Sequence, residues 1–283
     1  MLSKSNLNNH LSDDSKESHE SRCLNWRKRI LEISQSVSAL HIAPAFSCTE
    51  ITDVIYFDLL KYDKDDKPLD VFIMSKGHGC MIQYVILESL GILNLQDIEK
   101  YCTPNGILGA HPDYKTPGID ASTGSLGHGL GMATGQAYAE KLKSSDVVVY
   151  CLISDGELQE GSTWEALMMA ANLNLTNLVV FVDFNDFGGL EPMSVGHPAF
   201  APLVPKLSSF GWEVVDIDGH DGVSISKAVN NRSGLSPFLV VCNTVKGKGI
   251  SFMENVPIWH YRSPDKNEFA LAMQELSLDG YEK

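Results

Sequence analysis

The chain has 283 residues, with 22 Lys and Arg against 36 Asp and Glu, for a formal net charge of −14. That acidity argues against nucleic acid or an anionic membrane as a partner, and no apolar run approaches the ~20 residues of a membrane span or forms the core of a signal peptide. Six cysteines, at 23, 48, 80, 102, 151 and 242, are scattered without a Cys-x-x-Cys pair, the usage of reduced, mostly buried thiols in a cytoplasmic protein.

Residues 1–20 are rich in Ser, Asn, Asp and Lys and nearly devoid of apolar side chains. Such a segment cannot bury enough surface to offset its ordering entropy, and a disordered tail is expected. From residue 21 to 283 there is no linker, composition shift or repeat, which predicts one large domain. Helical periodicity marks 24–40, 49–61, 79–91, 127–143, 162–174 and 222–231. Apolar, β-rich runs mark Val71–Ser75, Val147–Ile153, Leu178–Val182, Trp212–Ile217 and Phe238–Cys242. Strands alternating with helices predict an α/β fold, a parallel β-sheet flanked by helices on both faces. Ser162 and Glu165 have the spacing of a capping box for the helix between the second and third strands.

The chemistry concentrates between residues 154 and 185. Asp155 follows one apolar run and Asn185 ends the next, which puts two oxygen donors at the carboxyl ends of parallel strands. Open α/β sheets bind ligands at that edge, and a helix N-terminus there favours phosphate. One carboxylate and one amide oxygen suit Mg²⁺ or Ca²⁺, hard cations that bridge to a diphosphate. An isolated Asp-Gly pair is more often a plain strand–turn–helix connection, so the reading depends on what surrounds it.

The spacing of Asp155 and Asn185, 30 residues apart, resembles the thiamine-diphosphate fingerprint, in which Gly-Asp-Gly precedes a distant Asn. Further segments make the chain similar to the amino-terminal, cofactor-binding half of transketolase. They are Met74-Ser75-Lys76-Gly77-His78-Gly79, Gly109-Ala110-His111-Pro112, Ser122-Thr123-Gly124-Ser125-Leu126-Gly127-His128-Gly129, the run Val245-Lys246-Gly247-Lys248-Gly249, and Trp259-His260, in family order from about Leu24 to about Arg262. The resemblance implies that Asp155, Asn185 and the main-chain carbonyl of Phe187 hold Mg²⁺, with Ca²⁺ as an acceptable substitute. It implies that Lys76, His78, Gly156, Asn185, Lys246 and His260 bind the cofactor, and that Gly124, Ser125 and Leu126 hold its aminopyrimidine and thiazolium end. His41, His111 and His260 then contact substrate oxygens, and Glu160 joins a carboxylate network between two active sites. The remaining histidines, His10, His19, His128, His197 and His220, keep the ordinary reading of surface or satisfied core residues. Three departures from the family pattern stand out: Ser154 for the first glycine, His41-Ile42-Ala43-Pro44 for His-Pro-Gly, and Gly189 where some relatives carry a polar cofactor contact.

A complete transketolase continues into a pyrimidine-binding domain and a third domain. The resemblance therefore implies the cofactor subunit of a split, two-gene enzyme, α₂β₂ with a carboxy-terminal subunit, that moves a two-carbon ketol unit from a ketose donor to an aldehyde acceptor. Related thiamine-diphosphate enzymes share the metal fingerprint but do not usually combine it with the other segments. A catalytically silent scaffold or regulatory subunit, and a thiamine-diphosphate enzyme of specialised biosynthesis, are the alternative readings.

Overall fold

A computed structural model describes residues 18–37, 39–189 and 191–278. Five strands form one sheet: β1 (Val71–Met74), β2 (Val149–Ser154), β3 (Leu178–Phe184), β4 (Glu213–Asp218) and β5 (Phe238–Asn243). Their order is β1-β2-β3-β5-β4 and every neighbouring pair is parallel. All five strands expected from the apolar runs are present, shifted by a residue or two at their ends.

The sheet carries a core on each face because side chains alternate along a strand. Tyr150 and Leu152 of β2, Val179 and Phe181 of β3, and Phe238, Val240 and Cys242 of β5 join one core. That core is covered by α1 (His19–Ser34), α2 (Ile42–Ser47), α3 (Thr49–Val54) and α4 (Cys80–Ser89), and further along the chain by two more helices, Gly222–Asn230 and Lys266–Leu278. The intervening strand residues Val149, Cys151, Ile153, Leu178, Val180, Val182, Leu239 and Val241 join the other core. It lies under α6 (Gly129–Leu142), α7 (Gly161–Asn172) and the short helix Leu203–Ser209, while α5 (Leu95–Glu99) extends beyond α4. Burial on both faces is why these strands read as continuous apolar runs.

Several boundaries differ from the sequence expectation. The expected tail of residues 1–20 falls mostly outside the described residues, but Ser18 caps α1, its hydroxyl accepting from Ser21 N at 3.2 Å, and His19 and Glu20 are helical. The first helix stops at Ser34 where periodicity ran to 40, and the helix from Thr49 widens into a π turn at Ile55–Leu59. The capping box is not formed. Glu160 occupies the N-cap of α7 without a side-chain cap bond, and the Ser162 hydroxyl donates instead to the Gly127 carbonyl at 2.8 Å. A tertiary acceptor has displaced the local one. Five cysteines are buried and Cys102 is exposed; no helix among the described residues is long and apolar enough to cross a membrane.

The start of α1 is held by charge. Asp53 is buried and accepts from Arg22 Nε at 2.9 Å, from Arg22 Nη2 at 2.7 Å and from Trp26 Nε1 at 2.9 Å. His19 Nδ1 lies 2.7 Å from the same carboxylate and its Nε2 3.1 Å from Asp58. Hydrogen bonds to Asp53 first, then Asp58, push the His19 imidazole up to about 9 from 6.5. A raised folded-state pKa stabilises the fold fully below 6.5, and that contribution is lost as pH rises through about 9. His19→Gln should therefore lower the melting temperature by roughly 2–4 °C at pH 6, on the order of 1 kcal/mol after solvent screening. The difference from wild type should close above pH 9.5 in a thermal-melt series; a deficit independent of pH would contradict the assignment.

Candidate active site

Loops leaving the carboxyl ends of β1, β2, β3 and β5 carry most of the expected site residues, while His41 lies between α1 and α2, and His111 and Gly124–Leu126 lie between α5 and α6. Asp155 directly follows β2 and is fully buried. Its Oδ1 accepts from Gly156 N at 2.8 Å, and its Oδ2 accepts from Asn185 N at 3.0 Å and Phe187 N at 3.2 Å. Phe187 N also donates to Asn185 Oδ1 at 3.1 Å, so the Asp155 carboxylate and the Asn185 amide oxygen converge on one N–H. The contact seen for Phe187 is thus its N–H. Burial first, then repulsion by Asp183, pushes the Asp155 carboxyl up to about 7. A buried carboxylate in that state is short of neighbouring positive charge. Among the described residues no group of three or more His, Cys, Asp or Glu could hold a metal.

Lys76 does something the motif did not anticipate. Its side chain is buried, and Nζ donates to Pro44 O at 2.7 Å, to Ser47 Oγ at 2.8 Å and to Asp183 Oδ2. Those three partners use all its donors, so the expected direct contact with the cofactor is not the contact this geometry offers. Asp183, which belongs to none of the motifs, also accepts from Ser47 Oγ at 2.7 Å, Asn185 Nδ2 at 3.0 Å and Thr244 Oγ1. Burial alone would raise its carboxyl, but the Lys76 ammonium and these donors hold it below the usual range. The only sequence signal is an Asp inside a buried strand, which demands a partner. A second carboxylate outside the motifs is Glu157. It is buried and accepts from Ser75 Oγ, from Gly127 N at 3.1 Å and from Ser154 N at 3.2 Å, joining three of the loops. Ser154 fits there without strain, its hydroxyl accepting from Glu157 N at 3.3 Å.

Four histidines come together. The His41 ring lies 6.0 Å from His78, 5.6 Å from His111 and 5.5 Å from His260, and His78 lies 5.4 Å from His260, centroid to centroid. The altered segment after His41 does not displace it. His41 is the N-cap of α2, and Pro44 falls in the first turn of that helix, where a missing N–H costs nothing. Burial pulls all four rings below their ordinary 6.5, His41 to about 3 and His260 to about 4. Neighbouring His260 and His111 add to the effect at His41, and Lys246 and Lys76 add to it at His260. At neutral pH the rings are uncharged. His41 Nδ1 is buried with no hydrogen-bond partner in the protein, a polar atom left for a ligand.

Lys246 borders that space. Its Nζ donates to Gly189 O at 2.6 Å and to His260 Nδ1 at 3.1 Å, and lies 4.8 Å from the Phe187 ring centroid. Burial, then repulsion from Lys76, brings its ammonium down to about 8. Gly189 therefore contributes through its carbonyl, at a φ of 98° that suits glycine. His220, read as an ordinary histidine, is a strut: Nδ1 lies 2.9 Å from Glu50 Oε2 and Nε2 accepts from Val245 N at 2.9 Å, fixing the residue before Lys246.

The glycine loop closes the site from the other side. Gly124 has φ 135°, and a Cβ there would sit 2.7 Å from the His111 ring. Only glycine lets His111 lie flat on this backbone. Ser125 is exposed and Leu126 half-buried before α6, and Gly156 lies where a Cβ would come within 3.5 Å of Gly188 Cα. Glu160 is exposed and packs beside Gly127, away from the contacts that bind the histidines together.

Breaking the Lys76–Asp183 pair from one side strands a buried charge, which costs about 3–5 kcal/mol. Lys76→Met should lower unfolding stability by that amount in a urea titration. Lys76→Met/Asp183→Leu should recover much of the loss, whereas two additive losses would contradict the pairing.

Known proteins resemble this chain in sequence and in fold. The family model described as the thiamine diphosphate binding domain of transketolase matches residues 22–283. A chain of Phocaeicola vulgatus, named as one of the subunits of apulose-4-phosphate transketolase, is 34% identical over 260 residues, 89% of this chain and 91% of that protein. Human transketolase is also 34% identical over 256 residues, but these cover 88% of this chain and only 41% of that protein. The solved transketolase from Leishmania mexicana matches with a TM-score of 0.84 and 26% identity, over 92% of this chain and 41% of its own. The chain thus spans about two fifths of the single-chain transketolases it resembles. Fold and sequence agree, and the chain belongs to the transketolase family as a thiamine-diphosphate-binding member.

Proposed function

We propose that this chain is the cofactor-binding subunit of a two-chain transketolase, dependent on thiamine diphosphate and Mg²⁺, that transfers a two-carbon ketol unit from a ketose donor to an aldehyde acceptor. The observation that carries the reading is the convergence of Asp155 and Asn185 oxygens in a buried site short of positive charge, beside Lys246 and four uncharged imidazoles. The donor set fits Mg²⁺, with Ca²⁺ as a substitute, because hard cations take carboxylate, amide and carbonyl oxygens. Asp155, Asn185 and the Phe187 carbonyl would hold the metal. His78 and Lys246 would meet the diphosphate, and the Gly124–Leu126 loop would support the rings.

Thiamine diphosphate, when bound, supplies the nucleophilic carbon and the electron sink for carbon–carbon cleavage. The chain's own part is to orient and to move protons. His260 Nδ1 accepts from the Lys246 ammonium, which leaves the ring proton on Nε2 for a substrate oxygen. His41 and His111, also uncharged, can accept a hydroxyl proton as that hydroxyl becomes a carbonyl and return it later. A positioned imidazole of this kind contributes about 10²–10⁴-fold to turnover.

A second polypeptide is part of the proposal. Relatives of matching length are named as single subunits of their transketolases, and in single-chain relatives the matched region is 41% of the protein. We assign the remaining, pyrimidine-binding part to a separate carboxy-terminal subunit in an α₂β₂ assembly, where the exposed Glu160 would join the carboxylate network between active sites. The buried thiols suit a reducing, cytoplasmic setting.

Purified together with that subunit, the chain should transfer two-carbon units from a ketose to an aldehyde, and the chain alone should not; ordinary turnover by the chain alone would contradict the split. Asp155→Ala in the pair should abolish transfer. His260→Ala should lower kcat by about 10²-fold or more while changing cofactor affinity much less, and the reverse pattern would make His260 a cofactor ligand only.

A further inference from the structure

Tyr261 takes no part in the chemistry proposed above, yet it stands closer to the histidine cluster than the histidines stand to one another. Its ring centroid lies 4.4 Å from that of His41, tilted by 40°. It is also 51% exposed, a large aromatic ring left open beside the proposed reaction space. Core packing does not account for that placement, since about half of the residue stays in water.

The ring is nevertheless held. It ends the short helix Pro257–Tyr261, whose Trp259 is buried and donates Nε1–H to Phe252 O at 3.0 Å. On the other side, Arg262 N donates to Leu40 O at 3.1 Å, joining the residue after Tyr261 to the residue before His41. The Arg262 guanidinium lies 4.2 Å from the Trp259 ring centroid and pairs with Glu268 at 2.7 Å. Tyr261 and His41 therefore keep a fixed relation although Tyr261 faces solvent. A hollow of about 510 Å³, lined by Cys102, Ile107, Gly109, His111 and Thr123 among others, meets the cluster at His111.

In the proposed reaction His41, His111 and His260 meet oxygens on the carbons at which bonds are made and broken. Tyr261 is the exposed aromatic ring packed against His41, so a longer carbon chain running from His41 toward solvent would lie along it. An aromatic face offers the C–H side of a sugar chain an apolar surface at little entropic cost, because the ring is already fixed. Resting on the transketolase reading, we propose that Tyr261 is a specificity-determining residue, the outer wall of the substrate pocket, which packs against the sugar chain beyond the two reacting carbons and favours longer aldehyde acceptors over short ones.

The test uses the chain assembled with its carboxy-terminal subunit, a fixed ketose donor, and two acceptors, glycolaldehyde and a five-carbon aldose phosphate. Tyr261→Ala should lower kcat/KM for the longer acceptor about fivefold more than for glycolaldehyde, chiefly through KM, the loss of one aromatic contact. Tyr261→Phe should keep the wild-type ratio within about twofold, since the ring face remains. Thiamine-diphosphate affinity should be the same in all three proteins. An unchanged acceptor ratio in Tyr261→Ala would overturn the proposal. So would a fall in cofactor affinity with an equal loss for both acceptors, which marks a structural role, or a Phe variant as impaired as Ala, which assigns the selection to the hydroxyl. A wild-type pair that transfers no two-carbon unit to either acceptor would instead sink the transketolase reading itself, before any variant is compared.

Discussion

The buried ion pair between Lys76 and Asp183 is the constraint on which the site depends. It joins the loop after β1 to the end of β3, and through Ser47 and Pro44 it holds α2 against both. Asp183 also takes the Asn185 Nδ2 donor, and that decides which way the amide faces: with Nδ2 committed, Oδ1 is the atom left toward Phe187 N and the Asp155 side. Two charges removed from water are expensive unless geometry and extra hydrogen bonds compensate. Here every donor of the ammonium and several further donors to the carboxylate are used. The cost is accepted where strands end, and what it fixes is the direction of an oxygen ligand.

The second theme is unmet charge. Asp155 is a buried carboxylate pushed up to about 7, and Lys246 a mostly buried ammonium brought down to about 8. Each tends to lose its charge for want of a partner. A divalent cation would satisfy the first and an anionic diphosphate the second, so one bound complex relieves both at once. The chain as a whole carries −14, and long-range attraction does not bring an anion here. The proposed anion site is local, made from Lys246, imidazole N–H groups and main chain. The imidazoles of His41, His78 and His260 are uncharged for the same reason Lys246 is weakened, burial beside cationic groups, and that of His111 through burial alone.

Much of this is legible in the sequence. Strands buried on both faces announce themselves as unbroken apolar runs, and all five stand out in their order of appearance. His41, His78, His111 and His260 lie far apart in the chain but carry recognisable motifs, and the structure brings their rings within 6.0 Å of a neighbour. What the sequence hides are pairings between distant residues. Lys76 and Asp183 are 107 positions apart, and nothing local distinguishes a lysine that pairs inward from one that meets a phosphate. Glu157 looks like a helix-start carboxylate, yet it braces three loops. Ser162 has the spacing of a cap, but the Gly127 carbonyl is a better partner for its hydroxyl than its own helix. His220 and Tyr261 belong to no motif; their roles follow from what the fold sets beside them.

The Asp155–Asn185 oxygens are proposed as a divalent-cation site through which a diphosphate would be bound. Calorimetric titration of the purified chain with thiamine diphosphate, once with Mg²⁺ and once with EDTA, tests that most directly. The account predicts binding with Mg²⁺ and its loss with EDTA. Equal affinity in both solutions, or none in either even with the carboxy-terminal subunit present, would contradict it.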